Sequence, residues 1–434
     1  MNAACCYATT DEGAYLLATI HEIPAREPVH DLTPAAHDRL EGVIRAHLGE
    51  TFPALVLTVI QDGAVRLNAA WGWIDPDSRS YPARPDTLFD LASVTKLFTT
   101  SAFLSLVSQG RIRLDSPLAR VIPEFAESGP HPLDGGQDPH TKIRLPIPEA
   151  VRHQTADPDR VTCYHLLTHT SGLAPWRDVF NAAGPPPAPP DQIDPIPRAE
   201  RWRRALRALC DYPFVGQPGD RIVRYSDLGL MLLGEAVCRL DSAFGALDDV
   251  LRTRVFEPLQ LDSLTFNPLQ RGQNRNAIAP TEEDPRWRGR RCWGEVHDEN
   301  ACGVGGVAGH AGLFGTARDV AAFGQVWLES DPRSRIAPDL LRRAVQEHEE
   351  TDGMRRGLGW LIKAHDDSSA GDRFSADSYG HTGFTGTSLW VDPARALVVV
   401  CLTNRVYPGR EKIGIHAFRS ALHDAIAVGL NNAC

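Results

Sequence analysis

Residues 93–96 read Ser93-Val94-Thr95-Lys96 and stand at the head of an apolar helical stretch. Residues three apart share a helix face, so a hydroxyl and an ammonium lie one turn from each other. A serine hydroxyl is a poor nucleophile until something removes its proton, and a lysine can do so when burial or a neighbouring cation lowers its pKa toward neutrality. Taken alone, the tetrad reads first as a solvated lysine beside a helix-capping serine. Two further elements, in order along the chain, give it weight. Tyr225-Ser226-Asp227 opens an apolar run from Leu228 to Leu233, and His381-Thr382-Gly383 lies in a segment that turns strongly apolar toward Val398-Val399-Val400-Cys401-Leu402.

Together the three elements resemble the signature of the serine β-lactamase and penicillin-binding-protein superfamily: S-x-x-K on a helix, Y-x-N or S-x-N on a loop, K-T-G on a strand. The flanking stretches Phe89-Asp90-Leu91-Ala92, Gln109 to Pro117 and His165 to Leu173 look like segments of class C β-lactamases, esterases of that fold and low-molecular-mass penicillin-binding proteins. Gly294 to Ala301, Gly309 to Phe314 and Gly380 to Trp390 are more particular. They resemble a branch with a periplasmic D,D-carboxypeptidase-like penicillin-binding protein and β-lactamase-like domains fused to β-N-acetylglucosaminidases. The similarity spans about residues 35 to 430.

The chain ends carry complementary patterns. Leu40, Val43, Ile44 and Leu48 space an amphipathic helix opened by Thr33 or Pro34. Ala54 to Ile60 and Ala64 to Trp73 flank Asp62-Gly63, a hairpin signal. Near the other end, Gly357 to Ile362, Thr387 to Val391 and Ala396 to Thr403 read as strands, with Asp392-Pro393-Ala394-Arg395 as a turn, and Ile413 to Val428 reads as a helix. This predicts an α+β fold, with one antiparallel sheet built from both chain ends (residues 1–112 and 350–434), packed with helices, and a mostly helical lobe (113–349) inserted between. The resemblance implies the same β-lactamase/transpeptidase-like architecture. Gly184 to Pro197 is proline-rich and reads as a surface loop, while 129–158 and 282–291 are irregular insertions able to rim a cleft.

With 434 residues, 42% apolar and 23% charged, the chain has the composition of a globular protein large enough for two lobes. A net charge of −10 offers nucleic acid no overall attraction. The basic cluster Arg198 to Arg207 reads as the polar side of a helix whose apolar side holds Trp202, Ala205, Leu206 and Leu209. Apolar runs fall short of the ~20 residues a membrane span needs. Met1 to Cys6 shows no secretory leader, and nine cysteines without Cys-x-x-Cys spacing suit neither a disulfide framework nor a zinc site. The expectation is a cytoplasmic protein as the sequence stands, or a periplasmic one if a leader is missing.

The resemblance implies roles. Ser93 is the nucleophile, Lys96 the acylation base and Tyr225 the completion of the proton relay; Asp227, His381, Thr382, Gly383 and Phe384 bind substrate, with the Ser93 and Phe384 amides as oxyanion hole. Two departures matter. Asp227 stands where relatives often carry asparagine and, when ionised, only accepts hydrogen bonds, so it is expected to bind Lys96, another donor or a proton. His381 replaces lysine and predicts carboxylate recognition that is weaker or pH-dependent. His165 and His169 read as structural. His297, Asp298 and His310 lie in or beside a glycine-rich stretch without metal-ligand spacing, so no metal and no cofactor is expected. The expected function is a serine hydrolase cleaving an amide or ester, foremost as a D,D-carboxypeptidase or D-amino-acid-type peptidase. An esterase or β-lactamase is the nearest alternative, and a non-catalytic penicillin sensor or scaffold the one from another class. Its partners would be D-amino-acid peptides, esters or β-lactams.

Overall fold

A computed structural model of the protein describes residues 32–430 apart from 242, 244 and 412; the leader reading of Met1 to Cys6 lies outside the described residues. Helix α1, Pro34–His47, starts where Thr33 accepts the Ala36 N–H on its side chain, and it buries Ala36, Leu40 and Ile44 at helical spacing. Strands β1 (Ala54–Gln61) and β2 (Ala64–Gly72) follow. Asp62 and Gly63 both take positive φ, 51° and 74°, the geometry of a tight hairpin turn. The longer helices that follow are α2 (Thr95–Ser108), α3 (Arg198–Asp211), α4 (Asp227–Leu240) and α5 (Ala317–Glu329), with shorter helical turns between them. Strands β3 (Glu349–Thr351), β4 (Met354–Arg356), β5 (Leu361–Ile362), β6 (Tyr379–Thr382), β7 (Ser388–Asp392) and β8 (Leu397–Thr403) lead to the last helix, α6, Ile415–Leu430.

The strands form one antiparallel sheet in the order β3-β4-β5-β6-β7-β8-β1-β2. The N- and C-terminal parts of the chain meet one strand in from the β2 edge, where Leu55 to Gln61 pair with Thr403 to Leu397. Alternation along β8 then divides the core. Val399 and Cys401 face α1 and α6 with Leu40, Ile44, Phe418 and Leu422, while Val398, Val400 and Leu402 belong to the larger core shared with α2, α4 and α5. Helix α5 therefore packs on the sheet although it lies far from the strands in sequence. Helix α3 turns Ala205, Leu206 and Leu209 inward as its pattern predicts, but Arg201 is also buried, paired with Asp194 of the proline-rich loop at 3.0 Å. Among the described residues, no helix is long and apolar enough to cross a membrane.

The strand expected over Gly357 to Ile362 is mostly a turn. Gly357 N–H donates to Trp360 O, Gly359 has φ +78°, and only Leu361–Ile362 joins the sheet. A Cβ at Gly359 would lie 2.2 Å from Thr100 Oγ1, so glycine is what lets this turn rest on the helix that carries the nucleophile motif.

Candidate active site

Short strand Phe89–Asp90 pairs with Leu313–Gly315 and delivers the chain to Ser93. Asp90 is buried, and its carboxylate accepts Ala92 N–H at 2.8 Å and His297 N–H at 2.6 Å. Burial pushes the Asp90 carboxyl up, against those two bonds. Ala92 takes φ +46°, a left-handed conformation that costs a non-glycine residue of order 1–3 kcal/mol. The chain then turns through a 3₁₀ step, Ala92–Val94, into α2, leaving Ser93 half-buried at its head.

Lys96 is 1% exposed and lies under that serine. Its Nζ is 2.8 Å from Ser93 Oγ, 3.1 Å from His310 O and 2.8 Å from Asp227 Oδ1, the last as an ion pair without a directional hydrogen bond. Burial alone would push the Lys96 pKa down, but the Asp227 and Tyr225 side chains outweigh it and hold it above the ordinary lysine value. Lys96 is therefore an ammonium at neutral pH, donating to Ser93, and in that state does not serve as the acylation base expected of it.

Helix α4 places Tyr225 and Asp227. Ser226 caps it, accepting Gly229 N–H at 3.2 Å and donating to Ala174 O at 2.7 Å, while Ser226 N–H donates to His169 Nδ1 at 3.1 Å. The Tyr225 ring lies 4.7 Å from His169 and 5.9 Å from His381 between centroids, with Lys96 Nζ 5.0 Å and Arg356 Cζ 5.1 Å from its centre. His169 is buried, which with the nearby cations keeps it neutral, and it fixes the Tyr225 loop. That is the structural role expected of it.

His381, on β6, is 3% exposed. Its Nδ1 lies 2.9 Å from Thr382 O and so carries the hydrogen, leaving Nε2 a buried acceptor without a hydrogen-bond partner. Burial, then Lys96 and Arg356, drive its pKa well below the usual histidine range. Of the two expectations for His381, weaker or pH-dependent carboxylate recognition, a buried and neutral imidazole favours the weaker one. After it, Gly383 N–H donates to Thr387 O at 2.7 Å, while Thr385 and Thr387 hydroxyls donate to Asp90 O and Leu91 O at 2.8 and 3.0 Å. The strand end is thus tied to the chain leading into Ser93. A Cβ at Gly383 would meet Thr387 Oγ1 at 2.1 Å and Leu91 O at 2.7 Å. Gly383→Ala is expected to lower kcat/KM about 10- to 100-fold by pushing the strand off Ser93. Steady-state kinetics beside an unfolding curve checks it, and full activity would remove the close approach from the argument.

Ser93, Tyr225, Asp227, His381, Thr382, Gly383 and Phe384 all line one cavity of about 580 Å³, with Lys96 beneath its floor. Every residue expected at the site lies at this place. Pro139 and His140 give part of the rim to the irregular 129–158 segment, and Phe384 is stacked on His297 with ring centroids 5.6 Å apart. A second cavity, about 480 Å³ beside Trp73, Arg291 and Tyr407, contains none of these groups.

The sequence did not assign Asp298 and His310 a role. Asp298 caps the short helix Glu299–Gly303 through Ala301 N–H at 2.7 Å and binds His310 Nε2 at 2.9 Å. Burial would raise its carboxyl, but His310 foremost, with Ala301 N–H and Lys96, holds it well below the usual range. Asp227, Asp298 and His310 can each bring one ligand atom within 4.8 Å of the others. As a metal site the trio fits poorly, because Lys96 sits on Asp227 and Asp298 already engages His310 Nε2. Arg356, Arg405, Arg410 and Arg419 also line the cavity, and nothing in their local sequence marks them.

The Beta-lactamase family model matches residues 40–422. A protein of Salmonella agona (strain SL483) named "Putative D-alanyl-D-alanine carboxypeptidase" is 28% identical over 414 residues, covering 90% of this chain and 88% of that protein. Among solved structures, EstCE1, a hydrolase with promiscuous acyltransferase activity, superposes with a TM-score of 0.65 at 20% identity, over 91% of this chain and 98% of that one. A penicillin-binding protein homolog from Caulobacter crescentus gives 0.64 at 19% identity, over 93% and 100%. At these identities the two structures share the fold.

Proposed function

The chain belongs to the Beta-lactamase family and is a serine hydrolase of that fold, and from that premise we propose that it cleaves D-alanyl-D-alanine-type peptide ends through an acyl-enzyme on Ser93. The observation that carries this reading is the bridge made by Lys96, 2.8 Å from both Ser93 Oγ and Asp227 Oδ1 under the floor of the cavity. In the reaction, Ser93 Oγ attacks the scissile carbonyl while the Lys96 ammonium stabilises charge growing on that oxygen. Since Asp227 keeps Lys96 protonated, the Tyr225 hydroxyl relays a proton from Ser93 to the leaving amine, giving up its own proton as it takes that of Ser93, so that no net charge is left on it. The Ser93 and Phe384 amides receive the oxyanion. Water then resolves the ester and frees the shortened peptide.

An esterase is the second reading, favoured by the neutral state of His381, which removes the positive charge that K-T-G supplies. The cysteines among the described residues are unpaired, which fits a reducing compartment.

The test is D-alanine release from an N-acyl-D-alanyl-D-alanine peptide, beside hydrolysis of a p-nitrophenyl ester and intact-mass spectrometry after incubation with a penicillin. We expect D-alanine release and one added penicillin mass, since opening the strained amide loses no atoms, mapped to Ser93. Ester hydrolysis without D-alanine release would put the esterase reading ahead. With neither adduct nor drug hydrolysis, the penicillin-binding reading fails.

A further inference from the structure

We propose that Arg356 is the receptor for a carboxylate carried by the substrate close to its scissile bond, so that this site selects peptides ending in a free acid. The inference rests on the reading of the cavity as the Ser93 hydrolytic site.

The other cations of the cavity each have a carboxylate or backbone carbonyls on the guanidinium or ammonium. Lys96 is paired with Asp227 and Asp298 with His310. Arg410 is held by Glu282 and Glu299 at 2.9 and 3.1 Å. Arg419 donates to Gly383 O and Thr387 O, and Arg405 to Phe384 O. Arg356 differs. It ends β4, is 7% exposed, lines the cavity, and among the described residues has no carboxylate partner. Among the described residues its Nε has no hydrogen bond, and its guanidinium lies over the face of Tyr225, 5.1 Å away, near enough to His169 and His381 to disfavour their charged forms. Burial lowers its pKa with only Tyr225 opposing.

A guanidinium carries five donors in a planar fork, and leaving such a charge desolvated and unpaired is costly unless a ligand completes it. The fork matches a carboxylate in two parallel hydrogen bonds. Its place beside Tyr225, which also contacts Lys96, puts that carboxylate near the bond Ser93 attacks. With His381 uncharged, the cation for an acidic peptide end comes from β4 and not from the Gly383 strand.

The direct test is calorimetric binding to the Ser93→Ala protein of N-acetyl-D-alanyl-D-alanine and of its C-terminal amide. The acid is expected to bind about 10- to 100-fold more tightly than the amide, Arg356→Gln to erase that gap and Arg356→Lys to keep part of it. An equal affinity for acid and amide, or a gap that survives in Arg356→Gln, overturns the proposal.

A second arm uses active protein and two aryl esters with the same acyl group, one bearing a carboxylate on the leaving phenol. Any effect of Arg356 through Tyr225 enters both esters and cancels in the ratio of their kcat/KM values. A preference for the acidic ester that Arg356→Gln removes supports carboxylate recognition even where the D-alanyl peptide is not bound, and so isolates failure of the peptide reading. No preference overturns the role of Arg356 while leaving the hydrolase reading intact.

Discussion

Ser93→Ala is expected to reduce turnover of every substrate by about 10⁴-fold or more, the scale seen when a nucleophile acting with its partners is removed. Stability should change little. Ser93 is half-buried, and its hydroxyl receives one bond, from Lys96 at 2.8 Å, while Lys96 keeps His310 O and Asp227 when that oxygen is gone. The loss should stay within about 1 kcal/mol, the usual worth of one hydrogen bond. The measurement pairs kcat with thermal unfolding of the same preparation. A folded variant that keeps more than a tenth of the activity would place the chemistry elsewhere.

The sequence was most legible where chemistry and local geometry coincide. Asp62-Gly63 specifies its own hairpin, because both residues must take positive φ, and the period-2 pattern of Val398 to Leu402 specifies two faces. Ser93 and Lys96 are neighbours on one helix, so their contact needed no knowledge of the fold. Tyr225, Asp227 and His381 could be placed near them through a three-part pattern, although no local rule brings them together. Other features were out of reach. Gly359 looks like a residue in a strand until Thr100 is packed against it, and Ala92 gives no sign that it will adopt φ +46°. The Asp298–His310 pair forms because a helix cap and a glycine-rich loop meet over Lys96. Arg356 is one of 45 basic residues, set apart among the described cations of the cavity by having neither a carboxylate nor a hydrogen bond on its side chain, and that is a property of packing.

Asp227→Ala should destabilise the protein by about 3 kcal/mol at pH 7, because it leaves the Lys96 ammonium buried without its carboxylate. The low end of the range for a broken buried pair applies, since the Asp227 side chain is 18% exposed although that of Lys96 is 1%. The pH dependence follows from the direction of the Lys96 shift. In the parent protein its pKa is raised above the unfolded value, which is ~10.4. The stabilisation is then fully present below that value and is lost as pH rises through the higher folded pKa. In Asp227→Ala, burial is no longer opposed by the carboxylate and pulls Lys96 down, so the variant sheds its buried charge at lower pH than the unfolded chain does. Below ~10.4 the parent keeps its stabilisation in full, so it is the variant's shift that narrows the gap as pH rises toward that value. Urea unfolding of the two proteins from pH 7 to 10.5 should show the gap widest at neutral pH and shrinking toward the alkaline end. Lys96→Met added to Asp227→Leu should recover part of the loss, because two apolar side chains then replace a pair and no charge is left unmatched. Neither variant should be active, so the recovery separates the pair's part in stability from its part in chemistry. A gap below about 1 kcal/mol at pH 7, or one that widens as pH rises, would mean that Asp227 does not hold Lys96 as an ammonium, and the assignment of the Ser93 proton to Tyr225 would fall with it.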